Sequence, residues 1–87
     1  MQNEWYVAVF PKRAGEPGLL IEFKTAEKEE QLEAKAQEAL RQIAERGYDA
    51  EMKGRGVAAL RRYGIAFCGK SVCVEIGVKN VGDFADR

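Results

Sequence analysis

Histidine is absent from this 87-residue chain. That removes imidazole metal sites, histidine general bases and every Ser-His or Cys-His catalytic arrangement. Aspartate does not occur before position 49. A net charge is missing too, because 14 Lys and Arg balance 14 Asp and Glu. A protein that holds DNA by general attraction usually carries a basic surface, so this balance argues against strong stand-alone DNA binding. No apolar stretch approaches the roughly 18 residues that a membrane span needs. The start, Met1-Gln2-Asn3-Glu4, lacks the basic and apolar regions of a signal peptide. The expected compartment is therefore the cytoplasm, where Cys68 and Cys73 are expected to be thiols.

What remains is a globular composition, 46% apolar and 32% charged. The length predicts one domain over 1–87, with a core that removes about 60% of the unfolded chain's surface from water.

Trp5 to Phe10 are aromatic and β-branched, which predicts a strand. Two prolines and two glycines between Pro11 and Gly18 predict a loop. Leu19 to Lys24 reads as a second strand, in an antiparallel hairpin with the first. Leu19, Ile21 and Phe23 share one face, expected to be the one a helix covers. Leu20, Glu22 and Lys24 share the other.

Thr25 is a candidate cap for a helix over about 26–46. Glu27, Glu29 and Glu30 suit its first turn, where the helix dipole favours negative charge. Leu32, Ala36, Ala39, Leu40 and Ile43 form its apolar stripe. Arg46 and Gly47 form a stop signal. Tyr48 to Lys53 fits a short helix, and Val57 to Leu60 a further helical turn.

Residues 62–68 and 72–77 read as strands joined by a tight Gly69-Lys70 turn. Ile65, Phe67, Val72, Val74 and Ile76 share a face; Ala66, Cys68, Cys73 and Glu75 share the other. Residues 79–87 read as a polar tail anchored by Phe84. The expected fold is α/β (α+β): a mixed four-stranded sheet with one long helix packed on it, in the order β-β-α-(short α)-β-β.

The spot with chemistry is Glu22-Phe23-Lys24. Strand alternation puts its carboxylate and ammonium on one face, roughly 6–7 Å apart. Such a carboxylate can hold Mg²⁺. A metal there lowers the pKa of a bound water, and an ammonium stabilises charge developing on a phosphate oxygen. The tripeptide alone is weak, since E-x-K on an exposed sheet face is usually a solvated ion pair.

The wider pattern is more specific. Gly18-Leu-Leu-Ile-Glu-Phe-Lys24 is followed by the acidic helix start, Ala39-Leu40-Arg41-Gln42-Ile43, Gly47-Tyr48 and Tyr63-Gly64-Ile65-Ala66-Phe67. Val9-Phe10-Pro11-Lys12 precedes it. This run resembles a bacterial group of the PD-(D/E)XK nuclease superfamily, found as the C-terminal domain of predicted AAA-like ATPases. The resemblance covers most of residues 5 to 76. It implies a restriction-endonuclease-like core and metal-dependent hydrolysis of DNA. It also implies Mg²⁺ as cofactor and an ATPase domain or chain as companion. Glu22 matches the signature's metal-binding acid, Lys24 its catalytic lysine, Gln42 a glutamine that shapes the site and Tyr48 an aromatic past the helix.

One departure limits that expectation. The group has an Asp at the start of the strand before E-x-K, and that position falls at about Tyr6. Glu4 is the nearby acidic substitute, out of place. The group's preceding helix and strand have no counterpart, so the resemblance implies an N-terminally truncated core. The expectation is a domain incomplete or inactive as this chain alone. The alternative is a non-catalytic interaction or oligomerisation module, with a homodimer covering a sheet edge and face.

Three further clusters have plainer readings. Cys68 and Cys73 fit small buried hydrophobes better than a redox pair or half a zinc site. Lys53, Arg55, Arg61 and Arg62 could touch phosphates, but fit a solvated loop. Trp5 and Tyr6 could stack on bases, but fit core or interface packing.

Overall fold

A computed structural model describes residues 4–13 and 15–80, except the side chains of Glu4, Tyr48, Asp49, Val78, Lys79 and Asn80. Strand β1 (Glu4–Val9) pairs antiparallel with β2 (Gly18–Thr25). A 3-10 turn (Glu29–Gln31) leads into helix α1 (Leu32–Glu45), then the short α2 (Tyr48–Gly54). Strand β3 (Ala59–Cys68) returns parallel to β2, and β4 (Ser71–Asn80) pairs antiparallel with β3. The sheet order is β1-β2-β3-β4. The expected mixed four-stranded sheet with one long helix is therefore present.

Some boundaries differ for physical reasons. Thr25 ends β2 rather than starting a helix, and the residue at the N-cap position of the turn that follows is Lys28. The Gln31 side chain instead accepts hydrogen bonds from the backbone N–H groups of Glu27 and Lys28, both at 3.2 Å. Those bonds favour a tight turn before α1 begins. Residues 59 and 60 are extended because Leu60 pairs with Gly18. Lys79 and Asn80 continue β4, and residues 81–87, with Phe84, lie outside the described residues.

Ala36 and Ala39 on the buried side of α1 let it approach the sheet closely. The closest approach is at Gly64, where a β-carbon would run into the Ala36 carbonyl and the Leu40 amide. Two apolar clusters flank that contact. One contains Leu20, Ile43, Met52, Val57 and Leu60. The other contains Leu32, Ala36 and Ala66, with Cys68 and Cys73 packed against it. Both cysteines are free and half-buried, in keeping with their reading as small hydrophobes.

The face assignment for β2 is reversed. Leu20, Glu22 and Lys24 lie buried under α1, while Leu19, Ile21 and Phe23 are only half-buried on the open side. On that side one cross-strand row runs Trp5, Phe23, Ile65, Val74. The next runs Val7, Ile21, Tyr63, Ile76. The Trp5 and Phe23 rings stack at 5.4 Å, and Phe23 stacks on Phe67 at 6.0 Å.

Candidate functional site

Strand β2 presents Glu22 and Lys24 to α1, which crosses it in the opposite direction. Positions 38, 42 and 46 of the helix form one stripe at i, i+4 and i+8. They carry Glu, Gln and Arg, the same acid-to-base order as Glu then Lys on the strand, so the antiparallel crossing sets opposite charges face to face. The charges match in register. Lys24 Nζ lies 3.4 Å from Glu38 Oε2. Arg46 donates from Nε to Glu22 Oε1 and from Nη2 to Glu22 Oε2, both at 2.7 Å.

Burial differs sharply between the partners. Glu22 is 0% exposed and Lys24 3%. The side chains of Arg46 and Glu38 are 30% and 40% exposed. Each strand ion is thus sealed, while its helix partner reaches water along its stem. A buried carboxylate needs such a partner, because removing its hydration costs several kcal/mol. Two parallel charge-assisted bonds from one planar guanidinium supply that compensation. Arg46 also caps the C-terminal end of α1, where the helix dipole favours a cation.

Tyr6 completes the corner. It is the cross-strand partner of Glu22. Its ring lies under the Arg46 guanidinium, 4.0 Å from carbon to ring centroid. A small pocket here is lined by Tyr6, Val7, Leu20, Ile21, Glu22, Ile43 and Arg46.

Gln42 sits between the two ion pairs on the helix stripe. Its Oε1 is buried and accepts no hydrogen bond among the described residues. Of the residues singled out in the sequence, Glu22 and Lys24 lie on the face of β2 under α1, and Gln42 lies on the helix between their partners Glu38 and Arg46. Sequence reading missed the partners Glu38 and Arg46, taking Arg46 only as a helix stop. The shared acid-to-base order of strand and helix, with Glu38 and Arg46 at helical spacing, was the available signal.

The four basic residues do not form one patch. Arg61 pairs with Leu19 and Arg62 with Leu20, so they occupy opposite faces of β3. Arg55 bonds to Glu51 at 3.2 Å and lies over the Phe10 ring. Tyr48 and the carboxylate of Glu4 fall outside the described side chains.

Mg²⁺ takes several oxygen ligands at about 2.0–2.1 Å in near-ideal octahedral geometry. The donor set here does not fit it. Both Glu22 oxygens already accept from Arg46, and an aromatic ring stands at the adjacent strand position. Among the described residues there is no group of three His, Cys, Asp or Glu able to hold a metal.

The mixed four-stranded sheet with its long helix is consistent with a restriction-endonuclease-like core. A family model for the PD-(D/E)XK nuclease superfamily matches residues 6–76, and the chain belongs to that superfamily. No curated protein and no solved structure gives a significant match. Among the described residues, no helix is long and apolar enough to cross a membrane.

Proposed function

We propose that this chain is a PD-(D/E)XK nuclease-like domain whose hydrolytic corner is closed by its own ion pairs, making it a non-catalytic module when it acts alone. The observation that carries this reading is the pairing of Arg46 with both oxygens of the fully buried Glu22. A carboxylate so engaged has no lone pair facing solvent for a cation. Tyr6, beside it, offers no second carboxylate. Lys24, held by Glu38, is turned to a helix rather than to a phosphate.

Calorimetric titration with Mn²⁺, together with a plasmid and single-stranded DNA cleavage assay, tests this. The expected result is neither saturable heat nor metal-dependent cutting. Saturable heat lost in Glu22→Ala, with cutting lost in Lys24→Ala, would overturn it.

A second reading keeps the hydrolytic function of the superfamily. There, DNA is cut with a divalent metal after another chain, such as an ATPase companion, supplies the missing acid and draws Arg46 away. The buried Oε1 of Gln42, which has no hydrogen-bond partner among the described residues, favours it. Cutting that appears only in a mixture with such a partner would select this reading over the first.

A further inference from the structure

The face of the sheet turned away from α1 is apolar across all four strands. Its central rows run without a charged residue from Trp5 to Val74 and from Val7 to Ile76. The outer strands are the most open: Trp5 is 46% exposed and Ile76 64%. Beyond these rows the polar positions are Arg61 and Thr25, towards opposite ends of the face. Scattered exposed hydrophobes need no explanation, but a continuous array this wide marks a contact surface.

We infer that this face is the contact between two copies of the chain, packed sheet on sheet. The array has no charge in its middle, so whatever covers it must be apolar over a similar area. A second copy supplies that surface. The chain is also neutral, with 14 basic and 14 acidic residues, so two copies approach without net repulsion. Two twisted sheets packed face to face stack about 10 Å apart with strands offset by roughly 30°.

Area agrees. Four strands and three alternate positions span a projected footprint on the order of 400 Å² at ordinary strand spacings. The pleated face exposes more than its projection. Two copies would remove roughly 1,000–1,200 Å² in total, the size at which a specific interface becomes credible. A twofold contact uses the same patch on both copies and closes at two. The result is four layers, helix-sheet-sheet-helix. This contact lies on the opposite side of the sheet from Glu22 and does not depend on whether that corner binds metal.

Trp5 is the chain's one tryptophan and lies on this face, so it reports the contact without mutation. Sedimentation equilibrium of the 87-residue chain should give twice its 9.7 kDa mass at high concentration and the monomer on dilution. Trp5 emission should move to the red over the same dilution range. Val74→Lys should raise the dissociation constant at least tenfold with an unchanged far-ultraviolet circular dichroism spectrum. A monomer from micromolar to millimolar concentration overturns the inference, and points to a different occupant of the face. A dimer whose dissociation leaves Trp5 emission unchanged overturns it in favour of pairing through a strand edge, as does open-ended assembly. If Val74→Lys does not fold, the Trp5 reading on the unmodified chain decides.

Discussion

Arg46 closes a two-pronged bond on Glu22 at 2.7 Å through each prong, and the carboxylate so held is shut off from water. Deleting the guanidinium leaves a buried anion without a counter-charge. Arg46→Ala should cost about 3 kcal/mol in urea unfolding. Arg46→Lys should recover only part, because an ammonium cannot reproduce the planar fork or its stacking on Tyr6. Glu22→Gln with Arg46→Met should cost less than the sum of the single changes, as expected for coupled neighbours.

Lys24 behaves differently, although it is nearly as buried. Its partner Glu38 is 40% exposed and regains water when the ammonium is removed. Lys24→Met keeps the stem that packs under α1. It should therefore cost under about 1.5 kcal/mol by the same measurement, clearly less than Arg46→Ala.

Tyr6 stands beside Glu22 at a cross-strand position, where β-carbons are about 5 Å apart. Tyr6→Asp combined with Arg46→Ala puts two carboxylates there and removes the competing cation. The double variant should melt well below the parent in a chelator. Millimolar Mn²⁺ should raise its melting temperature by several degrees and leave the parent's unchanged, since a ligand that binds only the folded state stabilises it. An equal response of both proteins would show that the corner is not the binding place.

Gly64 is where the helix backbone rests on the sheet. Gly64→Ala forces the Ala36–Leu40 segment of α1 outward. A loss of about 2 kcal/mol or more is expected from the resulting overpacking. Changes in amide exchange across α1, measured in parallel, should be larger than those in β1.

Periodicity, residue type and turn residues found the main elements, but the helical turn expected over Val57 to Leu60 gives way at Ala59 to the start of β3. The stripe from Leu32 to Ile43 is the buried side of α1, and Gly69 turns the last hairpin with φ of 60°. What these signals misjudged was which side of β2 the helix covers. Leu19, Ile21 and Phe23 look more like a core than Leu20, Glu22 and Lys24. Hydropathy alone cannot tell that a distant helix carries the matching ions. The same limit explains Arg46. A cation at a helix end is ordinary by local rules, and its partner is 24 residues away. Glu22 and Lys24 were legible as sharing one face because strand alternation puts them there, and Gln42 was singled out by the resemblance alone. Their partners depend on how the helix crosses the strand.

The shared acid-to-base order on α1 and β2, which cross antiparallel, has a consequence for how the chain finds its shape. Slide the helix by one turn either way, and Glu22 or Lys24 meets Gln42 while the other meets no helical counter-ion. Greasy contacts of alanine and leucine tolerate such a slip far better than sealed ions do. The two pairs thus act as a pin in a ratchet, admitting a single seating of helix on strand.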